Sequence, residues 1–342
     1  MGSGIYKYSL MQAAGCDWEA CSLVRKRTKR ANIGRKKRDT SRGTSRASPR
    51  RFAAQTTLGQ DDKQTGQACR NPASQLHLEA MTWETPPLLD LRHIRVIRGQ
   101  KIALDDFSLC IRANERIAIL GPNGCGKSTL IKTITRECYP VAQENSSMAI
   151  LGQECWNVFE LRAHLGIVSN DLMLSCTGDA SGRDVVLSGF FSSTGIFPNH
   201  AVDRRHQELA DAALAELKVS YLAERPVCEM SSGEARRVLI ARALVHNPRA
   251  LLFDEPCNSL DLAAQQSLRQ TMRALATSGI GIVLVTHELS DIVPEITRVV
   301  LMSRGRIVAD GPKDEILQGE RLAALFGVPV EIARRDGYYN MW

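Results

Sequence analysis

Nine consecutive residues, Gly121-Pro122-Asn123-Gly124-Cys125-Gly126-Lys127-Ser128-Thr129, follow the pattern G-x-x-x-x-G-K-[ST]. Glycines at that spacing let a backbone bend around an anion and turn several N–H groups inward. A helix starting at the end of the loop presents its positive terminus to the same charge. Lys127 brings a point charge to the β- and γ-phosphates, Ser128 offers a hydroxyl to Mg²⁺, and Thr129 extends the helix start. Taken alone, these residues imply that a nucleoside triphosphate binds and say nothing of what it drives.

A second constellation lies at Ala250-Leu251-Leu252-Phe253-Asp254-Glu255-Pro256, an apolar strand that runs into two carboxylates. Alternation along a strand sends Asp254 and Glu255 in different directions. One can then hold Mg²⁺ through its water shell while the other faces the γ-phosphate. Asp254 suits the metal and Glu255 the base that polarises the attacking water, a role typically worth 10²–10⁴-fold. A third strand, Ile282-Val283-Leu284-Val285, ends in Thr286-His287. A histidine at the carboxyl edge of a parallel sheet sits where such folds bind ligands, and His287 can sense a γ-phosphate there. The plainer reading is a hydrogen-bonded loop histidine.

The elements that must position these groups read as α/β. Leu89, Leu91, Ile94 and Val96 lie in a strand-like run, Gly99-Gln100 makes a turn, and 103–111 reads as the returning strand. Residues 116–120 form a short apolar strand that ends at Gly121, and 130–135 start the helix after the loop. Further strand-like runs at 165–168, 250–253 and 280–285 alternate with helical ones, which implies a mainly parallel sheet. Residues 171–228 form a helix-rich insert with an amphipathic run over 206–217. Its bulky pairs, Phe190-Phe191 and Ile196-Phe197, offer an apolar docking surface or ordinary packing. Residues 299–302 and 306–309 read as a late hairpin across Ser303-Arg304-Gly305. The fold class is therefore α/β: a P-loop NTPase core with a mainly parallel sheet, an antiparallel β edge subdomain and a helical insert subdomain.

The chain has 342 residues and a net charge of +7. Residues 1–80 alone carry +10, so the remainder is −3 and shows no broad electrostatic footprint for nucleic acid. Residues 1–85 read as a disordered basic extension: they hold Arg25-Lys26-Arg27 and Arg35-Lys36-Lys37-Arg38 and no apolar periodicity. Met81 is an alternative start. A targeting tail or a transit peptide are competing readings of this segment. The nucleotide-binding domain is expected over 86–330, with a C-terminal tail at 331–342. No run of about 18 apolar residues occurs. The ten cysteines show no C-x-x-C pair and read as reduced, mostly buried small hydrophobes.

Met230-Ser231-Ser232-Gly233-Glu234 looks like the Leu-Ser-Gly-Gly-Gln signature of the ABC ATPase family. It runs into Ala235-Arg236-Arg237-Val238-Leu239-Ile240-Ala241-Arg242-Ala243-Leu244, a helix with the spacing of that family. The order of phosphate loop, signature, acidic pair and histidine makes the resemblance specific over roughly residues 88–330. The resemblance implies ATP and Mg²⁺ as cofactors. It also implies a head-to-tail dimer, with a second copy or a paralogue, that sandwiches two ATP molecules. Ser231, Ser232 and Gly233 of one protomer would then lie against the γ-phosphate bound by the other. Asn258-Ser259-Leu260-Asp261 resembles the D-loop, which crosses that interface. Three positions depart from the family pattern. Arg98 stands where an aromatic usually stacks on adenine, and a guanidinium can also stack on a base. Asn170 stands for the Q-loop glutamine, and its carbonyl could still reach Mg²⁺ or the attacking water. Ser232 replaces a signature glycine.

Most members of this plan energise transmembrane permease subunits from the cytoplasmic face of the membrane. The insert, Asn170 and the 291–297 segment resemble importer-type members for molybdate and iron complexes, which implies import of a small solute such as a metal complex or oxyanion. The rival class is a soluble ABC ATPase that remodels a protein or nucleic-acid partner. No specific nucleic acid is expected as a ligand.

Overall fold

The computed structural model describes residues 85–176 and 179–342. The basic extension and the alternative start at Met81 lie outside the described residues. Strands β1 (Leu89–Arg98) and β2 (Lys101–Ile111) pair antiparallel around the Gly99 turn, where φ is +61°. Strand β3 (Arg116–Leu120) leads into the phosphate loop and helix α1 (Lys127–Ile134). Strand β4 (Ser147–Ile150) then returns to β1 and completes a three-stranded antiparallel sheet in the order β2-β1-β4. Helix α2 (Val158–His164) precedes strand β5 (Leu165–Ser169).

The helical insert follows as α3 (Asn170–Ser175), α4 (Gly182–Ser188), α5 (Arg204–Glu216) and α6 (Ser232–Leu244). Polar caps start each helix: Ser169, Ser181, Asp203 and Ser231 all accept from backbone N–H groups. Val185, Val186, Ala210, Leu214 and Leu222 face one another and the inner side of α6 at Val238 and Leu239. Phe190 packs edge-on against His246 at 5.1 Å, and Phe191 stacks on His200 at 4.3 Å. This first aromatic pair is therefore packing within the insert, whereas Phe197 is half exposed.

The chain re-enters the main sheet at β6 (Ala250–Asp254), and α7 (Leu262–Thr277), capped by Asp261, leads to β7 (Gly281–Thr286). Strands β8 (Arg298–Ser303) and β9 (Arg306–Pro312) form the late hairpin, followed by α8 (Lys313–Ile316) and α9 (Gly319–Phe326). The six-stranded sheet has the order β5-β6-β7-β3-β8-β9, parallel except for β9. Its inner strands are continuous apolar runs (Leu251-Leu252-Phe253, Ile282-Val283-Leu284-Val285) because both faces are covered.

Residues 331–342 fold rather than trail. Strands β10 (Ile332–Arg335) and β11 (Tyr338–Met341) pair antiparallel, and Tyr339 is buried against the core. Its hydroxyl donates to Asp314, while Lys313 and Arg334 lie over its ring. The seven described cysteines are all free thiols. Only Cys125, Cys176 and Cys257 are buried, so the expectation that most pack as hydrophobes holds for a minority. Cys110, Cys155 and Cys228 sit on exposed faces that a thiol tolerates without packing.

Candidate functional site

Four neighbouring parallel strands end in one row. In-register pairs run Ser169 to Asp254, Asp254 to Val285, and Leu120 to Thr286. The residue after each strand end is Asn170, Glu255, His287 or Gly121, with His287 and Gly121 one register step beyond Asn170 and Glu255, at the carboxyl edge where open α/β sheets bind ligands.

The phosphate loop is shaped by glycines that nothing else can replace. Gly126 has φ +113°, and a Cβ there would lie 2.6 Å from the carbonyl oxygen of Ala103 on β2. A Cβ on Gly121 would lie 2.4 Å from the carbonyl oxygen of Met302. The β8–β9 turn supports the loop from below, with Gly305 N–H donating to the Cys125 carbonyl at 2.7 Å. Cys125 itself is buried, and burial raises its thiol above the usual range. Lys127, which opens α1, is buried, and its Nζ donates to the carbonyls of Gly121 (2.7 Å) and Pro122 (3.2 Å). The same Nζ lies 3.6 Å from Glu255 Oε1. His287 Nδ1 lies 3.2 Å from that carboxylate oxygen but off the line of a hydrogen bond.

Lys127, Glu255 and His287 are thus brought together around one carboxylate. Glu255 leaves its strand with φ +45°, a backbone conformation that non-glycine residues adopt rarely. Its own N–H donates to the Val285 carbonyl, which fixes the turn. Asp254 is partly buried one residue earlier. Burial first, and the adjacent Glu255 second, push its carboxyl up to about 6. Ser128, Asn170, Asp254 and Glu255 line one cavity of about 430 Å³ between the sheet edge and the insert.

The signature residues lie elsewhere. Ser231 caps α6 and forms a capping box with Glu234, whose carboxylate takes the Ser231 N–H and hydroxyl, each at 2.9 Å. Those bonds hold the Glu234 carboxyl below its usual range. Ser231 and Ser232 are exposed. Gly233 is required by packing, since a Cβ would come within 2.8 Å of Ala264 Cβ on α7. Asp261 caps α7 beside it, and Ser231, Gly233, Asp261 and Ala264 line a shallow cavity of about 280 Å³. The two cavities have no lining residue in common. Arg98 ends β1, is exposed, and donates to Cys138 Sγ at 3.3 Å. Asn170 opens α3, and its Oδ1 accepts from Arg236.

A family model described as ABC transporter matches residues 104–258. The chain is 31% identical over 261 residues to the hemin import ATP-binding protein HmuV of Bradyrhizobium diazoefficiens, covering 73% of this chain and 92% of that one. The chain belongs to the ABC transporter family. It is an ABC-type ATPase: the family match spans the phosphate loop, the signature and the acidic pair. It is also 30% identical to an uncharacterized ABC transporter ATP-binding protein, YlmA, of Bacillus subtilis, over 72% of this chain and 93% of that one. Among solved structures, cbiO1 of Clostridium perfringens, part of the ABC transporter complex cbiONQ, superposes with a TM-score of 0.59. It is 25% identical and covers 70% of this chain and 94% of that one. No helix among the described residues is long and apolar enough to cross a membrane.

Sequence reasoning did not single out two buried charged groups in this ABC ATPase. Asp291 accepts from Arg269 Nη2 (3.0 Å) and from Thr286 Oγ1 (3.2 Å), and it also lies against the Cys257 thiol. It thereby joins the strand before His287 to the segment after Glu255 and to α7. Arg236 reaches across 66 residues of sequence to Asn170. The available signal for Asp291 was an acid enclosed by apolar residues, and for Arg236 a cation on the inward stripe of a helix.

Proposed function

We propose that the chain binds MgATP at the row of strand ends and hydrolyses it in a head-to-tail dimer, energising import of a small solute through a separate membrane permease. The observation that carries the hydrolytic reading is the convergence of Lys127 and His287 on Glu255, 3.6 and 3.2 Å from one oxygen. Glu255 acts as the base toward the attacking water. His287 stands beside that carboxylate and senses the γ-phosphate. Lys127 exchanges its bonds to the loop carbonyls for phosphate oxygens, and the N–H groups of residues 121–129 wrap the anion.

The donor set fits Mg²⁺. A carboxyl raised to about 6 in a half-buried site gains from a cation beside it, and Ser128 lines the same cavity. Ser128 and Asp254 would hold the ion, which when bound neutralises phosphate charge; the Asn170 oxygen expected to share this role is instead engaged by Arg236, which leaves the amide N–H₂ for phosphate or water. Arg98 offers its guanidinium face to the base. The separation of the two cavities supports the dimer: Ser231, Ser232 and Gly233 of one copy, with Asp261, close over the nucleotide of the other.

The import reading rests on the hemin import ATP-binding protein and on cbiO1, which is part of a transporter complex. A metal complex is the cargo class the hemin import protein favours, and the working place is the cytoplasmic face of the membrane, against permease subunits. Steady-state hydrolysis by Glu255→Gln tests the site. We expect a fall of about 10²–10⁴-fold in kcat with ATP binding retained; unchanged turnover would reject Glu255 as the base. Co-purification of the tagged chain with a multi-span membrane protein tests the coupling.

A further inference from the structure

Arg236 is an uneconomical residue where it stands. It sits five positions after Ser231 on α6, and its side chain is completely buried. A guanidinium carries five N–H donors. Here Nη2 donates to Asn170 Oδ1, while Nε and Nη1 have no partner among the described residues. No carboxylate among the described residues forms an ion pair with it; Asp254 and Cys257 attract it only at longer range. Burying a charge without a counter-ion destabilises a fold, and an apolar side chain of similar volume is usually the more stable choice. Packing therefore does not account for an arginine at this position.

Its one partner does. Asn170 directly follows Ser169, which lies in register with Asp254, and Asn170 lines the cavity that also holds Ser128, Asp254 and Glu255. Because a guanidinium has no acceptor, only the carbonyl end of the Asn170 amide can face it. The bond thus fixes which way the amide is turned. It also reaches from α6, whose first turn bears Ser231 and Gly233, to the end of β5. Asparagine is one methylene shorter than glutamine, and the long arginine stem spans the difference.

We propose that Arg236 is a positioning residue for Asn170: it grips the amide by its oxygen, sets the end of the amide that faces the cavity beside Ser128, Asp254 and Glu255, and makes the amide travel with the signature helix. The inference rests on the reading of Asp254 and Glu255 as the hydrolytic end of that cavity. ATP binding at the loop then needs Arg236 little, whereas turnover needs it because the amide is in place only while α6 holds it.

The test uses the full chain with Arg236→Met, Arg236→Lys, Asn170→Ala and the Arg236→Met/Asn170→Ala double variant. Readouts are melting temperature, binding of a fluorescent ATP analogue, and kcat and KM for ATP hydrolysis. We expect Arg236→Met to melt no lower than the parent and to bind the analogue within about 3-fold. Its kcat should fall at least 10-fold with KM little changed. Arg236→Lys, which keeps a cationic donor without the planar fork, should recover part of the loss. Asn170→Ala should lose about as much as Arg236→Met, and the double variant no more than either, as expected of two groups acting as one unit. A kcat within 2-fold of the parent in Arg236→Met, or losses that multiply in the double variant, would overturn the proposal. Should Arg236→Met fail to fold, Arg236→Lys against Asn170→Ala decides: equal loss without partial rescue rejects the donor role. Glu255→Gln in the same assay separates the two readings. If it abolishes turnover while the Arg236 variants are silent, only the positioning role fails; if it is silent too, the hydrolytic reading fails first.

Discussion

The phosphate-loop edge of the sheet and the start of α6 both end in a helix N-terminus, and they differ in how far they satisfy themselves. At the sheet edge, charges are crowded and mismatched. Lys127 bonds its own loop carbonyls, Glu255 sits at φ +45°, and Asp254 is pushed to about 6. At α6 the polar groups are closed on each other: Glu234 takes the N–H and hydroxyl of Ser231, and Asp261 caps α7 next to it. The first region holds strain that the proposed cation and polyphosphate would relieve. The second is at rest, exposed, and does not share a wall with the first. On the proposed reading, one copy of the chain binds a nucleotide and a second copy supplies the surface that covers it.

The largest expected effects come from the crowded region. Lys127→Ala should lose ATP binding and turnover together, by about 10³-fold or more in kcat/KM, measured by equilibrium binding and steady-state hydrolysis. Tight ATP binding by this variant would break the contrast, because the strained region would then not depend on its cation.

Next comes the buried hub behind the row. Asp291→Ala strands Arg269 and Thr286, and removal of one partner of a buried pair typically costs about 3–5 kcal/mol. For a domain of this size that lowers the melting temperature by roughly 6–15 °C, read by calorimetry. A change under about 1 °C would show that the hub carries no load.

Asp254 gives an effect of opposite sign. Its carboxyl is near 3.8 when unfolded and near 6 when folded. The folded state therefore favours the proton, and stability falls as pH rises from about 4 to about 6, then levels off. At neutral pH without metal or nucleotide, Asp254→Asn should be more stable than the parent by about 1–3 kcal/mol. The gap should shrink as pH drops to 4. A gap independent of pH, followed by thermal melts in EDTA, would remove the charge strain from the account. Mg²⁺ with ATP should stabilise the parent more than the variant.

The smallest effect belongs to the resting region. Ser231→Ala should cost about 1 kcal/mol, the usual loss of an N-cap, with nucleotide-free melts as the measurement. A loss of several kcal/mol would mean that this region also carries strain.

The parts of the fold legible in the sequence are those with a local cause. Apolar runs bounded by Gly, Asn or charged pairs gave β3, β6 and β7, because strands covered on both faces must be apolar throughout. The loop at 121–129 was legible because positive-φ glycines have few other uses. Strand β4 was missed because Ser147-Met148-Ala149-Ile150 alternates too briefly to stand out from a loop. The hairpin at 332–341 is not legible as one because its apolar residues flank Arg334-Arg335-Asp336 in runs too short to show a period. What folds it is tertiary: Tyr339 inserts beside Lys313 and Asp314, and the Gly337 turn abuts Pro294. Asn170 and Arg98 were placed by resemblance alone. Their partners, Arg236 and Cys138, lie 66 and 40 residues away, beyond any local pattern.

The central claim is that the resting region of one copy completes the strained region of another. Size-exclusion chromatography with light scattering on Glu255→Gln, with and without MgATP, tests it most directly. The account predicts a monomer without nucleotide and a dimer with it, and no dimer when Ser231→Ala and Gly233→Ala are added. A Glu255→Gln chain that binds ATP and stays monomeric would contradict it.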